Sequence, residues 1–187
     1  GGNGSIISGN TIRNCVSAFE GINVSSVGKN ADLTFSDNSI FDSGPVVFGD
    51  RSDVKFETGP ENVRFLNNRF ANSSAIIEVS QGIVFDGNTW TVDDPDAVVI
   101  WIHNSKGVSI NDTISGGAGA IRVTGEDTRD ITISGTLQNQ FKLGVIFEPS
   151  LAREFRATID GVSITGSATA ADDYVGIRII NGVTIRD

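Results

Sequence analysis

The stretch QGIVFDGNTWTVDDPDAVVIWIHNS, Gln81–Ser105, decides the fold. It opens with an alternating strand in which Ile83 and Phe85 share a face, followed by a polar turn, Asp86-Gly87-Asn88, and a large aromatic, Trp90. An acidic loop (Asp93, Asp94, Asp96) leads into a second alternating strand, Val98 to Ile102. Twenty-odd residues cannot bury both strands alone, so copies must stack on either side.

Such copies are present. The first strand recurs as apolar, turn, Asn or Thr, large apolar: Ile7…Asn10…Ile12, Phe35…Asn38…Ile40, Phe65…Asn68…Phe70, Phe85…Asn88…Trp90. It drifts through Ile110…Thr113-Ile114, Ile133…Leu137 and Ile159…Ile164 to a last start at Val183-Thr184-Ile185. The mean interval is about 25 residues, inside the window of solenoids. The second strand keeps the same beat, as in Ile76-Ile77-Glu78-Val79, Val99-Ile100-Trp101-Ile102, Ala120-Ile121-Arg122-Val123, Gly144-Val145-Ile146-Phe147 and Gly176-Ile177-Arg178-Ile179.

Period-two alternation buries one face of each strand. Connections this short hold no crossover helix and no hairpin dipeptide, so strands pair in parallel with the next coil. The expected fold is all-β, a right-handed parallel β-helix of about seven coils with uncapped ends, forming a single domain over residues 1–187. Phe35, Phe65 and Phe85 are expected to stack, and Asn38, Asn68 and Asn88 to form an amide ladder. Residues 53–60 break the beat and are expected to form an excursion. The missing caps imply that the chain is part of a larger protein, or that another chain or domain covers the ends.

Composition agrees: 22 Gly and 4 Pro among 187 residues, with many Asn, Asp, Ser and Thr, is a vocabulary of turns between short strands. A net charge of −9 makes nucleic acid and anionic membranes poor partners. The single cysteine, Cys15, excludes an internal disulfide and is expected to be a small buried residue.

A β-helix presents one outward side chain per coil in columns. Counted along the second strand, one column reads Asn23, Val47, Glu78, Trp101, Arg122, Ile146, Arg178; the next runs Ser25, Gly49, Ser80, His103, Thr124, Glu148, Ile180. The count brings Glu78, Trp101, His103 and Arg122 together, an aromatic plate among charges that suits a sugar ring. His103, Glu78, Arg122 and Glu148 are candidate catalytic residues, and Trp101, Arg178 and Asp96 candidate substrate contacts. The competing reading makes Trp101 part of a covered face and Glu78–Arg122 a plain ion pair. Asp93, Asp94 and Asp96, like Asp172 and Asp173, follow no calcium-loop spacing. No metal site or other cofactor is therefore assigned, with Ca²⁺ the one candidate for these loops.

The Asn turns (Asn10, Asn38, Asn68, Asn88) and the Gly-Ile-x-Val strands resemble the right-handed parallel β-helix superfamily typified by pectate lyases, over essentially the whole chain. Gly9-Asn10-Thr11-Ile12-Arg13-Asn14-Cys15 looks like coils of alginate lyases and chondroitinase B. The resemblance implies an extracellular or cell-surface carbohydrate-active domain that binds and cleaves a polysaccharide as a lyase or glycoside hydrolase. The paired-Asp and Gly-His-Gly motifs of polygalacturonases are absent, and none of the four Lys falls in an outward column. The alternative is a non-catalytic β-helix of an adhesin, phage tail fibre or accessory domain.

Overall fold

The structure, a computed structural model, describes residues 4–21, 31–49, 59–148, 155–169 and 173–179. The expected excursion at 53–58, the last strand start at 183–185, Asp172, and the column positions Asn23, Ser25 and Ile180 lie outside the described residues. The first coils contribute β1 (Ile6–Ser8), β2 (Thr11–Arg13), β3 (Phe19–Gly21), β4 (Thr34–Ser36), β5 (Ser39–Phe41), β6 (Val46–Phe48), β7 (Arg64–Leu66), β8 (Arg69–Ala71) and β9 (Ala75–Glu78). Then come β10 (Val84–Val92), β11 (Val98–His103), β12 (Lys106–Gly116), β13 (Gly119–Thr124), β14 (Arg129–Gln140) and β15 (Leu143–Phe147). The last described strands are β16 (Ala157–Ile159), β17 (Ser163–Gly166) and β18 (Val175–Ile179).

Every strand pairing is parallel, and no helix occurs among the described residues. One sheet follows β1-β4-β7-β10-β12-β14-β16, with β2, β5, β8 and β17 beside it; the other follows β18-β15-β13-β11-β9-β6-β3. The architecture is a parallel β-solenoid of about five turns. The repeat count gave about seven, and each of the two sheet paths carries seven strands among the described residues.

The core is a column of rings between the sheets. Phe35, Phe65 and Phe85 pair in register with Ile110, Ile133 and Ile159 above them. Phe65 and Phe85 stack 4.6 Å apart, and Phe70 lies flat on Trp90 at 3.7 Å. All four rings are fully buried, which stabilises the fold by about 1.5–3 kcal/mol per side chain.

Beside the rings runs the amide ladder, longer than the three residues expected. Asn10 Nδ2 donates to Asn38 Oδ1 (3.0 Å), Asn38 to Asn68 (3.0 Å), Asn68 to Asn88 (2.9 Å), and Asn88 to Asp112 Oδ1 (3.0 Å). From Asn38 upward, each Nδ2 also donates to a backbone carbonyl of the coil below, of Ile7, Phe35 and Phe65 in turn. The ladder satisfies polar groups where the first strand bends, and there the early coils break one expected strand into two.

The residue before each ladder Asn is left-handed: Gly9 (φ 67°), Asp37 (56°), Asn67 (54°), Gly87 (70°). These residue types tolerate that conformation, which explains the turn-rich composition. At Gly87 an added Cβ would lie 2.6 Å from Asn67 Oδ1. Cys15 overturns its expectation. It is exposed, following the left-handed Asn14, and its Sγ faces outward to the Arg13 carbonyl at 3.3 Å.

Candidate functional site

The second sheet carries the expected outward wall, with one change of register. Trp101 pairs with Arg122, and Arg122 with Ile146, as counted from the sequence; on the other side, however, Trp101 pairs with Ile76, and Glu78 pairs with His103. The count placed Glu78 beside Trp101, two residues away from its place. Alternation of period two fixes which face a residue takes and leaves even slips undetermined. The corner settles the offset: Val79 turns left-handed (φ 46°), and the Ser80 N–H donates to Ser105 Oγ at 3.1 Å. Glu78 is buried despite its outward position, with 4% of its surface exposed.

Thr124, itself buried, is the hub of the wall. Trp101 Nε1 donates to Thr124 Oγ1 at 2.9 Å, which fixes the plane of the half-buried indole. His103 Nδ1 lies 2.8 Å from the same oxygen. Asn104 sets the tautomer. Its Oδ1 accepts the Asp127 N–H at 3.3 Å, so its Nδ2 faces His103 Nε2 at 3.1 Å and donates. Nε2 is then the acceptor, and Nδ1 carries the hydrogen and donates to Thr124. Thr124 Oγ1 passes its own hydrogen toward the Ile102 carbonyl at 3.4 Å.

Arg122 Nε and Nη2 both lie 2.7 Å from Glu148 Oε1, and the guanidinium sits 5.4 Å from the Trp101 ring centroid. Both side chains are partly exposed, 40% for Arg122 and 26% for Glu148, so the pair contributes at most about 1 kcal/mol. Trp101, His103, Arg122 and Glu148 thus meet on one wall, with Glu78 beneath the His103 strand.

Two other expected contacts fall away from this group. Asp96 belongs to the loop that enters β11, at the opposite end of that strand from His103. There Lys142 Nζ reaches Asp96 Oδ1 at 2.7 Å; this hydrogen bond holds the Asp96 carboxyl below its ordinary value and raises that of Lys142. Arg178 is exposed and separated from Arg122 by Ile146, about 10 Å away in strand spacing.

Sequence reasoning did not single out Thr124 or Asn104, whose hydrogen bonds orient the two rings. It also missed Asp112, although an acid in the column of ladder amides was the available signal. Asp112 is 3% exposed and accepts from Trp90 Nε1 (2.8 Å) as well as from Asn88. Burial pushes its carboxyl up to about 6, against the donors from Trp90 and Asn88.

Two clefts among the described residues lie away from the Trp101 wall. A cleft of about 460 Å³ is bounded by Pro45, Asn72, Ser74, Asp93, Asp94 and Ala97, at the corner between the sheets. Another of about 400 Å³ lies around Asp32, Asn62 and Arg64 on the first sheet. Chemically, the wall is a fixed aromatic plate with a hydrogen-bonded His and an ion-paired Arg at its rim, suited to holding a polar ring. For His103 to accept a proton, Nε2 would first have to give up the Asn104 hydrogen bond. No family model matches the chain, and no curated protein and no solved structure matches it.

Proposed function

We propose that this chain is an extracellular or cell-surface carbohydrate-binding β-solenoid of the pectate-lyase-like kind, which takes a polysaccharide on the Trp101 wall. The observation that carries the reading is the half-exposed Trp101 indole, anchored through Nε1 to Thr124 and edged by Arg122, Glu148 and His103. An aromatic plate held in one plane stacks on the apolar face of a sugar, while the flanking charges take its hydroxyls. Binding is better supported than cleavage, since both His103 nitrogens already have partners and Arg122 is ion-paired. Cleavage of a uronate chain requires those partners to rearrange around substrate.

The test is titration calorimetry against alginate, pectate, chondroitin and neutral glucans, with turnover followed on the same polymers. Trp101→Ala is expected to weaken binding at least tenfold without changing the circular dichroism spectrum. Unchanged affinity in that variant would remove the site. A second reading, a non-catalytic fibre or adhesin segment, is favoured by the half-buried Val47, Ile76 and Ile146 in the Trp101 column. A stable trimer by light scattering, with no glycan bound, would support it.

A further inference from the structure

The outward face of the first sheet carries a second chemistry. In register on β2, β5 and β8 are Arg13, Phe41 and Ala71, and two residues upstream Thr11, Ser39 and Arg69. The Arg13 guanidinium lies 4.2 Å from the Phe41 ring centroid, and that of Arg69 lies 5.6 Å from it. They reach the ring from the coils on either side of it. Both arginines are exposed, and neither has a carboxylate partner among the described residues. The neighbouring acid, Asp42, is exposed too, and Asn72 Nδ2 donates to its Oδ1 at 3.0 Å.

In a chain of net charge −9, two guanidiniums without a carboxylate partner among the described residues gather on one ring. Stacking on Phe41 restrains the guanidiniums and leaves their N–H edges for bidentate oxyanions. The same stacking occupies the ring, so Phe41 is not a platform for a base or a neutral sugar. Above the arginines the outward columns continue as exposed hydroxyls: Thr89 follows Arg69, Thr91 follows Ala71, and Thr113 comes one coil further. A ligand lying along the solenoid axis would meet positive charge and then hydroxyl groups, spaced at about 4.8 Å per coil.

We propose that Arg13, Phe41 and Arg69 form a second ligand surface, an arginine clamp for the sulfate or carboxylate groups of an anionic polysaccharide laid along the axis. It goes beyond the Trp101 reading and lies on the other sheet, so either can fail alone.

The test measures binding of heparin, a sulfated chain, and polygalacturonate, a carboxylated one, to the wild type, W101A, and W101A carrying R13Q/R69Q or F41A, at low and at physiological salt. The wild type is expected to bind at least one polymer, with affinity falling as salt rises. On the W101A background, which removes the wall's own binding, R13Q/R69Q is expected to lose tenfold or more and most of the salt dependence, F41A, which keeps both charges, to lose several-fold, and W101A by itself to keep the salt-dependent binding of the clamp. The polymer preferred identifies the anion. The proposal is overturned if the wild type binds neither polymer, if R13Q/R69Q or F41A on the W101A background binds as W101A by itself does, or if single-stranded DNA binds equally well, which would mark plain charge attraction. All four substituted side chains lie on outward faces of their sheets, and melting curves close to wild type are expected to confirm that the variants fold.

Discussion

Replacing Asp112 by Asn tests the buried end of the amide ladder. Two effects oppose each other at this carboxyl. Hydrogen bonds from the Asn88 N–H (2.8 Å), Asn88 Nδ2 (3.0 Å) and Trp90 Nε1 (2.8 Å) favour the charged form. Burial disfavours it and prevails, raising the carboxyl from its ordinary 3.8 to about 6. The folded state therefore binds a proton more tightly than the unfolded chain. The stabilisation is complete below about pH 3.8 and is lost as pH rises through about 6, a change of about 3 kcal/mol at about 1.4 kcal/mol per pH unit. Other carboxylates titrate as well, so the quantity to read is the stability of wild type minus that of Asp112→Asn. Measured by urea unfolding with circular dichroism between pH 3.5 and 7.5, this difference is expected to fall by about 3 kcal/mol. A flat difference, or one that rises with pH, would refute the balance.

The same variant sets a second constraint. An amide at 112 can accept from Asn88, but its Nδ2 then meets the Trp90 N–H, and a stranded buried donor costs about 1–3 kcal/mol. Trp90→Phe removes that donor, and the double variant reproduces one coil higher the existing relation of Phe70 to Asn88. A double-mutant cycle at pH 7.5 is thus expected to show a favourable coupling of about 1–3 kcal/mol. Additive effects would mean that the Trp90 hydrogen bond carries no weight.

Three further outcomes are expected. Gly87→Ala forces a side chain into a left-handed residue (φ 70°) and against Asn67 Oδ1, and should lower stability by about 1–3 kcal/mol in a denaturant titration. Thr124→Val preserves shape but strands the Trp101 Nε1–H and His103 Nδ1–H; weaker glycan binding with little change in melting temperature would assign Thr124 to positioning the wall. Asn68→Leu removes the centre of the ladder, leaving the Asn38 amide and the Phe35 carbonyl without their partner, and is expected to cost at least about 2 kcal/mol.

The face of each strand and the identity of the core were legible in the chain, as Phe35, Phe65 and Phe85 show, because parallel stacking repeats one coil's pattern in the next. The Asn ladder was legible for the same reason. Its ending on Asp112 was overlooked despite its place in the column, since an isolated Asp beside Asn111 reads as a turn residue until Trp90 is seen donating to it. The wall around Trp101 was readable upward, to Arg122 and Ile146, where the counted column matches the strand pairing. It was misread downward, where Glu78 slipped by two.

The amino-acid order by itself therefore determined the solenoid, its inward and outward residues, and which side chains lie near one another to within a strand step. Only the tertiary structure decided the offset between coils, the partners of His103 and Arg122, and the stacking of Arg13 and Arg69 on Phe41. The physical reason is that alternation carries a side but no phase along the strand. The phase comes from corner geometry, where left-handed residues such as Val79 and ladder hydrogen bonds such as Ser80 to Ser105 set the length of each turn.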